Sequence, residues 1–157
     1  MKEVFMNILA SQVEALCEEK DDLAMLANVA AAINMNYEQI NWAGFYLYKN
    51  DELVLGPFQG KVACTHIPMG KGVCGTSASN KKTIIVEDVH KFEGHIACDS
   101  ASNSEIVVPI IYENTLIGVI DIDSFIFNRF NNEDKEILEE VAKVLANRLK
   151  KMTISHL

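Results

Sequence analysis

Glu105-Ile106-Val107-Val108-Pro109-Ile110-Ile111-Tyr112, then Glu113-Asn114-Thr115, then Leu116-Ile117-Gly118-Val119-Ile120-Asp121-Ile122 is the stretch on which the fold turns. Two apolar runs, rich in β-branched residues and split by three polar ones, predict a hairpin of core strands. Side chains alternate between the two faces of a strand, so Asp121 and Asp123 share one face and Ile122 takes the other. Glu105 opens the neighbouring strand. Acids at the end of a core strand admit two readings. Either the strand emerges into solvent there, or carboxylates crowd together in a pocket. Crowding would raise at least one pKa and leave a proton to donate. Such a cluster suits a ligand with a cationic amino group and an oxygen that needs protonation.

Upstream the period changes. Residues 40–48 read as an aromatic-rich strand, 49–52 as a polar turn and 53–58 as a second strand. Gly70-Lys71-Gly72 opens a short helix over 73–80, and 83–86 form a short strand. Residues 87–104 lack clear periodicity, and loops of that length in a compact domain are usually functional or disordered. Phe5, Ile8, Leu9, Val13 and Leu16 predict an amphipathic helix over 4–16, with Cys17 on the same apolar stripe and read as core. A second helix spans 21–34, capped by Asp21 or Asp22 and burying Leu23, Leu26, Val29, Ala30 and Ile33. Asn131 caps the final helix, whose buried face is Ile137, Leu138, Val141, Val144 and Leu145. The expected class is α+β. Helices from both ends pack on one face of a mainly antiparallel central sheet, and loops form a pocket on the other.

The chain has 157 residues, a length that suits one domain over 1–157. A formal charge of −8 with no basic stripe argues against a nucleic-acid partner. Arg148-Leu149-Lys150-Lys151 closes the last helix and reads as complementing its dipole. No segment resembles an export signal or a membrane span, so the expected compartment is the reducing cytoplasm. There the four cysteines are expected as thiols rather than structural disulfides.

Cys64, Cys74 and Cys98 fall in one loop-rich region. Any one of them alone is most simply an inert core thiol; three together suggest thiol chemistry. Only a thiolate attacks, so a useful site lowers a cysteine's pKa or supplies a base. His95 lies three residues before Cys98 and would assist, whereas Asp99 would oppose. Cys64, His66, Cys74, His95 and Cys98 are also zinc-ligand types, but they lack the Cys-x2-Cys spacing of structural sites. Trp42 and Tyr46 share a strand face, as core residues or as an apolar wall for a small ligand.

The segments Gly56-Pro57-Phe58-Gln59-Gly60-Lys61-Val62-Ala63-Cys64, Ile67-Pro68-Met69-Gly70-Lys71-Gly72-Val73-Cys74-Gly75, Gly94-His95-Ile96-Ala97-Cys98-Asp99 and Ser102-Asn103-Ser104-Glu105 carry a resemblance. With Ile117-Gly118-Val119-Ile120-Asp121-Ile122-Asp123-Ser124, they resemble the free methionine-(R)-sulfoxide reductase family of GAF domains. The resemblance implies that the Cys98 thiolate attacks the sulfur of free methionine-(R)-sulfoxide and becomes a sulfenic acid as methionine leaves. It makes Cys64 the resolving cysteine, with Cys74 as alternative, and thioredoxin the external reductant. Glu105, Asp121 and Asp123 would supply a proton and hold the substrate ammonium, and Trp42 and Tyr46 would line the methyl-thio end. No metal or organic cofactor is implied. GAF domains commonly pair through their terminal helices, which leaves a homodimer open. A non-catalytic GAF module that binds a small ligand or senses redox state is the alternative; a sensor would need the cysteines but not the three acids.

Overall fold

The fold is described from a computed structural model, over residues 2–96 and 101–150. The hairpin forms as expected: β5 (Ser104–Tyr112) pairs antiparallel with β6 (Thr115–Ser124). Its turn places both Glu113 and Asn114 at positive φ, the conformation of a two-residue loop whose twist matches the strands. β1 (Trp42–Lys49) and β2 (Glu52–Gly60) make a second hairpin, with Asn50 and Asp51 in the same left-handed conformation. β1 also pairs with β6, which joins the two hairpins into one sheet. β4 (Ile84–Val86) completes one edge. The other edge is β3 (His66–Pro68), a strand that the sequence did not reveal. The sheet has six antiparallel strands in the order β3-β2-β1-β6-β5-β4.

Strand alternation sorts the interior into two clusters. Ala43, Phe45, Leu47, Ile106, Val108, Ile110, Ile120 and Ile122 point one way, onto the helices. These helices are α1 (Lys2–Leu16), α2 (Asp22–Asn36) and α4 (Asn132–Leu149). Apart from Ala43, full burial of each such side chain contributes about 1.5–3 kcal/mol, which makes this face the main source of stability. Trp42, Tyr46, Val107 and Val119 point the other way, into a smaller cluster under α3 (Gly72–Asn80). The second face is thus covered partly by a helix and not by loops alone.

The caps follow the sequence. Asp21 accepts from the Ala24 amide at 2.8 Å. Asn131 and Asp134 form a reciprocal capping box at 3.1 and 2.9 Å. Arg148 does more than complement a dipole. Its guanidinium donates to the Cys17 carbonyl at 3.0 Å and the Glu19 carbonyl at 2.8 Å and pairs with Asp22, locking α4 to the α1–α2 connection. Cys17 packs on the helix-side core as expected. Ile8 and Leu23, expected on buried stripes, face outward instead, because the sheet and the neighbouring helices cover only an adjacent arc of each helix. No helix among the described residues is long and apolar enough to cross a membrane.

Candidate active site

The pocket lies on the α3 side of the sheet, where four strands (β1, β3, β5 and β6) and a helix each deliver one or two side chains. Register places Glu105 opposite Asp123 and Val107 opposite Asp121. On its other side β6 pairs with β1, setting Trp42 opposite Asp123 and Gly44 opposite Asp121. The three acids therefore converge because β5 and β6 are neighbours, as the hairpin reading required. They have not come out into solvent: Glu105 is 6% exposed and Asp121 5%, with Asp123 half-buried.

Burial and mutual repulsion decide the charge state. Burial comes first in pushing the Glu105 carboxyl well above the ordinary carboxylate range, and the negative charges of Asp121 and Asp123 add to it. Burial also raises Asp121, although protons directed at it from Glu105 and Cys74 pull the other way. The cluster thus holds at least one proton near neutrality, because three adjacent carboxylates, two of them buried, cannot all ionise cheaply. Asp121 Oδ1 is buried and receives no hydrogen bond from outside this cluster. A buried carboxylate oxygen in that position is costly until a donor arrives.

Cys74 sits in the first turn of α3, its Sγ 3.9 Å from Glu105 Oε2. Burial pushes its thiol well up, and Asp121 and Glu105 reinforce the shift. A thiol so placed stays protonated and is a poor nucleophile. Gly75 allows the close approach of this turn to the sheet edge, since a Cβ there would lie 2.4 Å from the Pro68 carbonyl oxygen.

Trp42 and Tyr46 are core residues and pocket wall at once. Each is 2% exposed, both line the cavity, and their rings stack with centroids 5.8 Å apart. Phe58 extends the stack on the far side of Trp42 at 5.0 Å. The Trp42 indole donates to the Lys61 carbonyl at 3.1 Å, and the Tyr46 hydroxyl donates to the Cys64 carbonyl at 2.9 Å. Both bonds tie the wall to the segment that carries Cys64.

Cys98 lies outside the described residues. Ile96 and Ser102, described on either side of it, both line the pocket. His95 lines it too, and burial, with His90 nearby, lowers its pKa, so the ring favours its neutral form. His66 is not brought in; it pairs with Glu52 at 3.3 Å on the surface. Sequence reading did not single out Ala63, Ile67, Lys71, Val73, Ile96 or Ser102, which complete the lining. Only Lys71 carried a local signal, as the residue before a helix start.

The GAF domain family model matches residues 19–149. The free methionine-R-sulfoxide reductase of Escherichia coli is 54% identical, over 82% of this chain and 80% of its own. The structure of fRMsr of Staphylococcus aureus in complex with substrate is 52% identical. It has a TM-score of 0.86 and covers 92% of this chain and 95% of that one. The structure of free methionine-R-sulfoxide reductase from Neisseria meningitidis in complex with its substrate is 43% identical. Its TM-score is 0.88, over 92% of this chain and 88% of that one.

Proposed function

The chain belongs to the GAF domain family and, within it, to the free methionine-R-sulfoxide reductases, which are oxidoreductases; from that premise we propose that it reduces free L-methionine-(R)-sulfoxide to L-methionine through Cys98. The observation that carries this reading is the Glu105–Asp121–Asp123 cluster, two of its acids buried and the third half-buried, facing the Trp42–Tyr46 wall in one pocket. A redox sensor would not need that cluster.

In the proposed reaction, the aromatic wall receives the methyl-thio end and the ammonium approaches the acids. Asp121 Oδ1 is the natural acceptor, being a buried oxygen without an outside donor. A methionine within a polypeptide has no free ammonium, so the pocket selects the free amino acid. Sulfoxide oxygen leaves sulfur readily only when protonated, and Glu105, kept protonated by burial and by its two acidic neighbours, is the donor. The Cys98 thiolate attacks the sulfoxide sulfur, the oxygen passes to Cys98 as sulfenic acid, and methionine departs with sulfur reduced by two electrons. The Cys64 thiol then condenses with the sulfenic acid, giving a disulfide and water. Thioredoxin returns both cysteines to thiols by exchange and takes up the disulfide itself.

The state of the other cysteines supports Cys64 as the resolving partner. Cys64 is disulfide-bonded, whereas Cys17 and Cys74 are free. Cys74 then acts as a buried, protonated neighbour of the acids. The scheme needs no resident metal or organic cofactor, and its dependence on thioredoxin suits a reducing compartment such as the cytoplasm.

The test is a mass balance. Reduced protein incubated with free methionine-(R)-sulfoxide and no reductant is expected to release one methionine per chain as two thiols disappear. No methionine release, or equal turnover of the (S) epimer, would overturn the proposal.

A further inference from the structure

Among the described residues, Cys74, Glu105 and Asp121 are the one set of three metal-ligating side chains that brings a ligand atom from each within 4.8 Å of the others. One comes from α3, one from β5 and one from β6, so no sequence spacing announces them. All three are buried, at 4, 6 and 5% exposure. Neither carboxylate has an ion-pair partner among the described residues. Asp121 Oδ1, facing the same cavity, has no donor from outside the cluster.

We propose that this triad binds a thiophilic divalent cation, zinc or cadmium, in the floor of the pocket. Around a tetrahedral zinc ion, a thiolate and a carboxylate oxygen lie about 3.6 Å apart and two carboxylate oxygens about 3.4 Å. The Cys74 Sγ to Glu105 Oε2 separation is 3.9 Å, close to the separation zinc would impose on that pair, and Asp121 brings its ligand atom within 4.8 Å of both. One thiolate and two carboxylates more than balance the ion's two positive charges, leaving one net negative charge, and all three residues line the open pocket. Binding expels the Cys74 thiol proton and the carboxyl proton to solvent. This set differs from the cysteine–histidine group considered from sequence, with which it shares only Cys74.

The ion would sit where the substrate ammonium is proposed to sit, so the cation is a competitive inhibitor. That last consequence rests on the proposed function; metal binding itself does not.

The test uses full-length reduced protein carrying Cys64→Ser and Cys98→Ser, which removes the other thiols of the region. Cadmium titration is followed by ultraviolet thiolate-to-cadmium charge-transfer absorption and by calorimetry. One equivalent is expected to bind with a full charge-transfer band. Adding Cys74→Ser abolishes the band, and Glu105→Gln keeps it but weakens affinity by about tenfold or more. A Glu105→Gln protein that folds and binds as tightly as its parent would overturn the site, as would a band that survives Cys74→Ser or no band at all. Free methionine is expected to compete with cadmium. Binding that methionine leaves untouched would overturn the overlap of the two sites. Because the metal titration reads no turnover, its failure is separable from failure of the reductase reading.

Discussion

The Tyr46 hydroxyl donates to the Cys64 carbonyl at 2.9 Å, so one side chain both walls the pocket and holds the backbone of the proposed resolving cysteine. Burial and the nearby acids raise the Tyr46 pKa far out of the working range, so this bond persists wherever the protein is folded. Tyr46→Phe keeps the ring and removes the bond. The expected cost is about 1 kcal/mol of stability. Methionine release in the first turnover is expected to survive while disulfide formation slows. Denaturant unfolding and quenched-flow thiol counting check both; an unchanged disulfide step would mean that the bond does not position Cys64.

Glu105 sets a trade between stability and activity. Its carboxyl is raised well above the ordinary 4.5, so the native state retains a proton that the unfolded chain releases. Between those two values the unfolded state binds fewer protons, and stability falls as pH rises through that window. Asp121, also raised, adds in the same direction. Glu105→Gln is therefore expected to stabilise the protein at neutral pH, with the gain vanishing below about pH 4. Methionine formation is expected to drop by about a hundredfold or more from loss of the acid. Denaturation at two pH values, with single-turnover kinetics, tests the pair; a stability change equal at both pH values contradicts it.

Asp121→Asn removes the proposed ammonium partner without changing shape. A charged hydrogen bond is worth about 1.5–3 kcal/mol, so kcat/KM for the free sulfoxide is expected to fall by about ten- to a hundredfold. The wild type is expected to discriminate strongly against the N-acetylated sulfoxide, and the variant to discriminate much less. Parallel kinetics on the two substrates decide the matter: discrimination unchanged in the variant would remove Asp121 from ammonium recognition.

Gly75→Ala places a methyl where the Pro68 carbonyl oxygen lies 2.4 Å away. Since the obstacle is backbone, α3 has to shift, at an expected cost of about 1–3 kcal/mol. Cys74 rides in that first turn and is expected to become more accessible to a thiol reagent. Thermal melting and the rate of Cys74 labelling in a background lacking the other cysteines measure these effects; an unaltered melting temperature would show that the contact relaxes freely.

The sheet was largely legible from local pattern. Apolar runs over 105–112 and 116–122 placed the central hairpin, strand alternation put Asp121 and Asp123 on one face, and polar turns marked both hairpins. The choice between solvent and pocket for those acids was not legible, because it depends on α3 settling over β5 and β6. Nothing local records that packing. β3 escaped notice because three residues ending in Pro68 are too short to show a period. Ile8 and Leu23 were placed inward by spacing, yet tertiary contacts cover a narrower arc than spacing suggests. Arg148 read as a dipole partner because its true partners, in the α1–α2 connection, are distant in sequence. The cysteine roles came from resemblance, since spacing alone left them equivalent.

The two-sided sheet has a consequence for how such a chain can diversify. Ile106, Val108, Ile120 and Ile122 anchor the helices on one side, while Glu105, Val107, Asp121 and Asp123 alternate with them on the other. A single-residue insertion within β5 or β6 would exchange the two sets, whereas substitutions at the pocket positions leave the helix-side core intact. Selection can therefore rewrite the ligand chemistry of this face residue by residue while the opposite face carries the inheritance of the fold.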